Sequence, residues 1–207
     1  METTERRQTV KKHRFTVEEF HKMGEAGIFA EDSRVELIDG EVFEMSPPGW
    51  RHAWYVRQLT LMLVRFAENR RSQNGENYEV SVRDPLVTDE HGRPQPDAML
   101  MKLVPPGRLP NFEDALLVVE VSDTALSHDK NIKLPRYAAA GIPEVWIFNL
   151  QTEAIEVHSD PTPDGYRKTV RYGRTERVES ATIPDLAFDA NEIMPPEEAK
   201  PDSNESG

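Results

Sequence analysis

The run LLVVEVSD, from Leu116 to Asp123, places one carboxylate inside an otherwise apolar segment. A strand that is apolar on both faces is typical of the centre of a covered sheet. A carboxylate moved out of water without a partner costs roughly several kcal/mol, or it takes up a proton. We therefore expect a cation to meet Glu120 inside the fold, and this requirement constrains where the rest of the chain can lie.

The composition limits the class of protein. The chain has 207 residues, no cysteine and a net charge of -12. The length favours one domain with tails, and the lack of cysteine excludes disulfides and thiolate metal sites and favours a cytoplasmic location. No apolar run approaches the ~20 residues of a membrane span, and the N-terminus lacks the apolar core of a signal peptide. The negative charge argues against a nonspecific nucleic-acid binder, because it does not attract a polyanion over long range.

Three local patterns open the chain. Thr16 and Glu19 form a capping-box pattern that predicts the start of a short helix. Alternating apolar runs flank Asp39-Gly40, which is typical of a tight hairpin. The longest helical pattern begins at Trp50 and ends near Arg70.

The rest of the chain mixes strands with a second helix. Strand patterns occur in ENYEVSVRD, PDAMLM, LLVVEVS, EVWIFNL, AIEVHSD and GYRKTVRYG, of which the last two pair through PTPDG. Ser127 can cap a helix that contains Pro135 and is bent by it. This order predicts an α/β domain with a mixed sheet over residues 14–190, preceded by a disordered tail at 1–13 and followed by an acidic disordered tail at 191–207.

Two acids stand on segments that are predicted to be strands. Asp97 lies at the start of PDAMLM, and Glu120 lies inside VVEVS. If the strands are neighbours, both carboxylates can converge on one ion, with the carbonyl of Val121 as a further ligand. Mg²⁺ prefers one or two carboxylates together with waters and phosphate oxygens, so we predict a Mg²⁺ or Mn²⁺ site. A lysine from the next helix, Lys130 or Lys133, would supply further positive charge.

This pattern resembles the PD-(D/E)XK nuclease superfamily, in which a strand aspartate and a Glu-x-Lys hold Mg²⁺ and activate water. The matching residues are Pro96-Asp97 and Glu120-Val121-Ser122. The chain departs from the superfamily at Ser122, which stands where the lysine is expected. A lysine on the following helix can deliver its amine to the same point.

The chain resembles more closely the Uma-type endonuclease family of that superfamily, over roughly residues 15 to 190. The marks occur in this order: ELIDGEV at 36–42, SPPG followed by His52, PD at 96–97, VVEVSDT followed by Asp129, and KLPRYAAAGIPEVWIFN at 133–149. The ordered series is specific, whereas a single dipeptide such as PD is not.

The resemblance implies a restriction-endonuclease-like fold, with a mixed β-sheet flanked by helices and an N-terminal hairpin. It implies a bacterial, Mg²⁺-dependent endonuclease that hydrolyses phosphodiester bonds of DNA. By analogy with nucleases that cut both strands, it also implies a homodimer. The relocated lysine matches Lys133, and Glu36 and His52 match polar positions near the site.

These positions lead to expected roles. Asp97 and Glu120 would hold the metal, and Lys133 would orient water or stabilise charge on the phosphate. Glu36 would bind a second ion, and His52 would hold a phosphate or position water. The expected substrate-binding residues are Arg51, Arg57 and Ser122, of which the two arginines would contact the nucleic-acid backbone.

The remaining candidates receive structural interpretations. Tyr137 and Trp146 are expected in the core, and Tyr137 can at most donate a hydrogen bond to the site. The other histidines lack metal-ligand spacing and are interpreted as surface residues: His13, His21, His91, His128 and His158.

The sequence leaves two other functions open. The missing strand lysine and the acidic composition would fit a nuclease fold that has lost cleavage and acts as a binding or regulatory module. A metal-dependent phosphodiesterase that acts on RNA or a small substrate would fit the charge of the chain better than a long duplex does.

Overall fold

This computed structural model describes residues 11–30 and 33–196, in which ten strands and five α-helices are found. The strands are β1 Val35–Ile38, β2 Glu41–Glu44, β3 Tyr78–Ser81, β4 Ala98–Lys102, β5 Ala115–Ser122, β6 Glu144–Asn149, β7 Ala154–Thr162, β8 Gly165–Tyr172, β9 Arg177–Glu179 and β10 Ala187–Asp189. The helices are α1 Val17–Glu25, α2 Trp50–Asn74, α3 Leu126–His128, α4 Leu134–Ala139 and α5 Ala190–Ile193, and a π-helical turn, Asp129–Lys133, joins α3 to α4.

Within the described residues, six strands form one mixed sheet in the order β3-β4-β5-β6-β7-β8. The pairing of β5 with β6 is parallel, and the other neighbours are antiparallel. The hairpin β1-β2 and the hairpin β9-β10 stand outside this sheet. The predicted mixed α/β fold with an N-terminal hairpin is therefore confirmed.

The two faces of the sheet are covered by different parts of the chain. On one face, α2 packs Tyr55, Leu59 and Leu63 against alternate residues of the strands, such as Val119 and Phe148. On the other face, the cluster of buried residues is smaller and includes Met99, Val118, Tyr137 and Ile147. Because strand side chains alternate, Glu120 falls on the second face, two residues after Val118.

The β1-β2 turn has the geometry that its sequence predicts. Asp39 and Gly40 both have positive φ, 54° and 75°, as the two central residues of a type I′ turn require. A side chain at Gly40 would also collide with Arg14, whose Cβ would lie 2.6 Å from the added carbon. Arg136 of α4 contacts the Asp39 carboxylate and thereby ties the hairpin to the helix that follows β5.

Pro135 widens its helix instead of only bending it. In a regular helix the ring of Pro135 would clash with the carbonyl four residues earlier, and the residue has no N–H to donate. The turn before it is π-helical, and the Leu134 N–H bonds to the carbonyl of Asp129, five residues back. The wider turn lies next to the candidate site, where such turns are common.

The folded unit extends past the boundary predicted at residue 190. Ile193 and Met194 are buried in the core, with 2% and 3% of their surfaces exposed. The rest of the predicted acidic tail, 197–207, and residues 1–10 of the predicted N-terminal tail lie outside the described residues. None of the helices in the described ranges is long and apolar enough to cross a membrane.

Candidate active site

Asp97 and Glu120 meet at the end of the β4-β5 ladder. Ala98 pairs with Val119, so the preceding Asp97 lies opposite Glu120 and on the same face of the sheet. Both carboxylates are more than nine-tenths buried, and both line a cleft of about 460 Å³. The expected convergence of two strand acids is thus what the chain produces.

The partners of Glu120 answer the question raised by its apolar surroundings. Oε1 of Glu120 lies 2.7 Å from the Lys133 ammonium and accepts a hydrogen bond of 2.6 Å from the Tyr137 hydroxyl. Burial raises the pKa of Glu120 well above its usual value, and the carboxylates of Asp129 and Asp97 raise it further. One ammonium therefore does not fully balance the charge that the fold places here.

Lys133, not Lys130, faces the site. Its ammonium is 98% buried and contacts Glu120 and, at 3.2 Å, Oε1 of Glu36. Burial opposes the charge, but Glu120 and Glu36 outweigh it and raise the pKa of Lys133, so the amine stays protonated. Lys130 instead pairs with Glu156 at 2.7 Å.

Asp97 is held in its ionised form by two donors. Nε2 of His52 lies 3.0 Å from Oδ1, and the backbone N–H of Val121 donates to Oδ2 over 2.9 Å. Burial favours the neutral acid, but the contacts with His52, with Lys133 nearby and with Val121 prevail and lower the pKa of Asp97. Helix α2 supplies His52 from its first turn, because the SPPG loop brings the helix start to the cleft.

Glu36 brings the hairpin into the site. Its Oε1 accepts hydrogen bonds from Lys133 and from the backbone N–H of Gln95, at 3.2 and 3.1 Å. Its Oε2 is buried and has no hydrogen-bond partner among the described residues. Nε2 of His128, also buried and without such a partner, lies 4.0 Å from it, which leaves two polar atoms available to a ligand or to water.

Asp129 adds another carboxylate, and Ser122 holds it. The Ser122 hydroxyl donates to Oδ2 of Asp129 over 2.6 Å, and the serine is fully buried. The Ser122 side chain is used inside the protein and does not line the cleft, so its contact with substrate stays a prediction. Burial raises the pKa of Asp129, which Lys133 and Ser122 only partly oppose.

The predicted arginines lie outside the cleft. Arg51 donates to the carbonyl of Leu150 and pairs with Glu153, and Arg57 lies over the ring of Trp54. Neither is among the residues that line the cleft, so their contact with nucleic acid stays a prediction.

Some residues line the cleft without having been predicted there, and two histidines are less exposed than predicted. Arg34 and His128 line the cleft. The surface interpretation is wrong for His158, whose side chain is only 8% exposed, whereas His128 is partly buried, with 18% of its side chain exposed at the cleft. For His128, the neighbouring Asp129 of the family pattern was the available signal.

The side chains fit a hard divalent cation. Four buried carboxylates of the described chain line the cleft, against one buried ammonium: Glu36, Asp97, Glu120 and Asp129. Carboxylate oxygens are the ligands that Mg²⁺ prefers, and the unpartnered Oε2 of Glu36 is a further free donor. Across the described ranges, no three His, Asp or Glu side chains converge tightly enough to form a complete cage. An ion here would therefore be held by few protein ligands and keep open positions for water or substrate.

Comparisons with known proteins identify the family and the fold. A family model, Uma2, described as a putative restriction endonuclease, matches residues 17–191. A crystal structure described as a putative nuclease belonging to DUF820, from Anabaena variabilis, superposes with a TM-score of 0.64 at 12% identity. The match covers 86% of this chain and 97% of the other, which shows a shared fold. No curated protein matches the chain.

Proposed function

Because the chain belongs to the Uma2 family of restriction endonuclease-like proteins, we propose that its cleft is a divalent-metal-dependent site that hydrolyses phosphodiester bonds of DNA. The observation that carries the proposal is the convergence of Asp97 and Glu120 from neighbouring strands, with the Lys133 ammonium 2.7 Å from Glu120. A carboxylate pair of this kind can hold a metal, and a fixed cation beside it can stabilise charge on a phosphate, which supports the proposal.

Asp97 and Glu120 would hold the ion, with the carbonyl of Val121 as a third ligand, and Mg²⁺ or Mn²⁺ suits this donor set. When bound, the ion supplies positive charge to a phosphate oxygen and lowers the pKa of water. His52 fixes the orientation of Asp97 through its 3.0 Å contact, and the Val121 N–H holds the other oxygen.

Lys133 serves as a fixed positive charge and not as a base. In the metal-free protein Glu120 and Glu36 raise its pKa although burial opposes them, so the amine is protonated at neutral pH and has no free electron pair. Its ammonium would stabilise the charge that develops on the phosphate, at no cost of rearrangement, because Glu120 and Glu36 already orient it.

Glu36 and His128 supply polar atoms that can form hydrogen bonds with the attacking water. The unpartnered Oε2 of Glu36 can accept a hydrogen bond from the attacking water, and Nε2 of His128 lies within bridging distance of it. Arg34 lines the cleft and can contact a second phosphate of the nucleic acid. The predicted Arg51 and Arg57 do not line the cleft in their observed positions.

Because the protein is acidic, we expect it to bind substrate through a few short-range contacts and not through long-range electrostatic attraction. A net charge of -12 gives no long-range attraction to DNA, so binding would depend on the ion, Lys133 and Arg34. We expect binding to weaken with salt less steeply than in a protein that neutralises many phosphates.

The test is cleavage of supercoiled plasmid with Mg²⁺ or Mn²⁺, alongside single-stranded DNA and RNA. Asp97→Asn and Glu120→Gln should each lower the rate about a hundredfold or more. Asp164→Asn, in the exposed turn between β7 and β8, is the matched control and should cut normally. Cutting that survives in Asp97→Asn would overturn the proposed site.

Calorimetry with Mn²⁺ separates an active site from one that has lost cleavage. The wild-type chain should bind Mn²⁺, and Glu120→Gln should weaken that binding. Metal binding without cleavage of any of the three substrates would favour a binding module on this fold. If the protein cuts RNA in preference to DNA, RNA is the substrate and the proposal of DNA is wrong.

A further inference from the structure

The solvent side of α2 carries a stripe that includes three exposed apolar residues, which the core of the chain does not cover. Trp50, Leu61 and Val64 are 65%, 50% and 37% exposed, although α2 buries its opposite side against the sheet. An amphipathic surface helix normally places polar residues on that side. These three side chains leave apolar surface that a partner can cover.

The stripe follows a heptad spacing. The intervals between its residues alternate between four and three, and its members are Trp50, Trp54, Arg57, Leu61, Val64, Glu68 and Arg71. This spacing covers three heptads, or about 32 Å at 1.5 Å per residue. Such a repeat is characteristic of the seam between two packed helices, and not of a helix that only covers a sheet.

We propose that this stripe, the α2 seam, pairs with the α2 seam of a second copy of the same chain in an antiparallel, two-fold symmetric contact. In a two-fold contact the same patch meets itself, so the pairing of one residue fixes all others. Placing Leu61 against Val64 of the second copy makes an apolar centre that occurs twice.

Charge complementarity supports this register. With Leu61 opposite Val64, Arg57 lies opposite Glu68 of the second copy, and this ion pair also occurs twice. Trp54 lies opposite Arg71 at the edge of this contact, although the indole already bonds to the Ile193 carbonyl and lies under Arg57 of its own chain. All three charged residues of the seam are exposed, so they are available to a partner.

The parallel arrangement is disfavoured by the same residues. In a parallel two-fold pair, each seam position faces its own counterpart, so Arg57 would face Arg57 and Glu68 would face Glu68. Like charges placed directly opposite destabilise a helix contact. The antiparallel register turns both repulsions into attractions.

A nucleic acid is the other class of occupant that the arginines suggest. The seam places leucine and valine at the centre of the exposed side, and these side chains offer nothing to a phosphate backbone. Glu68 would also repel it. A second copy uses both the apolar and the charged residues of the seam, and the inference does not depend on catalysis.

Sedimentation of the full chain over a concentration series tests the proposal. The wild type should form a dimer, and Leu61→Glu should raise the dimer dissociation constant about thirtyfold or more. Leu103→Glu alters another exposed leucine, 67% exposed just after β4, and should leave the dimer unchanged. A wild type that stays monomeric, or a dimer that Leu61→Glu leaves intact, would overturn the proposal.

Charge reversal tests the register. Arg57→Glu and Glu68→Arg should each weaken the dimer, and the double variant should recover wild-type association because the ion pair is restored in reverse. Failure of the double variant to recover would overturn the antiparallel register. DNA binding by a monomer that is lost in Arg57→Glu would assign the seam to nucleic acid and overturn the dimer.

Discussion

The hydroxyl of Tyr137 donates a 2.6 Å hydrogen bond to the Glu120 carboxylate, at the same oxygen that the Lys133 ammonium contacts. A residue of α4 thus fixes an acid of the central sheet. This contact makes Tyr137 a positioning residue, because it touches Glu120, the proposed metal ligand, and does not line the cleft.

Tyr137→Phe should lower the free energy of unfolding by about 1–3 kcal/mol, because it leaves a buried carboxylate with one donor fewer. It should also weaken Mn²⁺ binding, since Glu120 loses its fixed orientation. Urea unfolding and calorimetry measure the two effects. Tyr55→Phe is the control, because the Tyr55 hydroxyl is buried without a hydrogen-bond partner in the described residues. Equal losses in both variants would contradict the role of Tyr137.

Lys133→Met should lower the free energy of unfolding by about 3 kcal/mol in metal-free buffer, because it leaves buried carboxylates without their cation. Lys130→Met should cost at most about 1 kcal/mol, since its pair with Glu156 is partly exposed to solvent. Urea unfolding with a chelator present compares them. If both substitutions cost the same, the site lysine has been assigned wrongly.

Glu144→Ala should lower the free energy of unfolding by about 3 kcal/mol without altering the cleft. Its buried carboxylate accepts hydrogen bonds from the Trp146 indole, the Ser180 hydroxyl and both the N–H and the hydroxyl of Thr182. These donors lose their acceptor together. Glu179→Ala, at an exposed position of β9, is the control, and Mn²⁺ affinity should be unchanged in both variants.

His158 should make the protein less stable as the pH falls below about 6.5. Burial lowers the pKa of His158; Glu156 opposes this shift and Lys130 adds to it, so the native state resists the proton that the unfolded chain takes up. Protons then favour the unfolded state between the unfolded pKa and the lower native pKa. Urea unfolding from pH 7.5 to 5.5 should show a steeper loss in the wild type than in His158→Gln, and parallel curves would refute the assignment.

The sequence specified the features that depend on neighbours along the chain. The capping box of α1 forms as predicted, with Thr16 and Glu19 bonded in both directions. The Asp39-Gly40 turn forms as predicted, because Asp-Gly is one of the few residue pairs that tolerate two positive φ values in succession. The apolar residues around Glu120 predicted that this acid is buried. Because burying a charge costs free energy, they also predicted that it has a partner of opposite charge.

Several site residues could not be found from local patterns. His128 and Arg34 have no motif of their own, and they enter the cleft because the hairpin and the segment after β5 fold over the same end of the sheet. Ser122 looked available for substrate until the fold supplied Asp129 as its partner. Ile193 and Met194 lie in a polar, acidic stretch of sequence, yet both side chains are buried in the core.

By itself, the sequence determined the periodic elements, the tight turn and the need for a cation at Glu120, because these follow from backbone sterics and from the free energy of burying charge. Only the tertiary structure decided which lysine side chain contacts Glu120. Lys130 and Lys133 are three residues apart on one helical segment, and their different partners, Glu156 and Glu120, come from β7 and β5. That choice depends on how the π-helical turn rotates the segment against the sheet, which is a property of packing between distant residues.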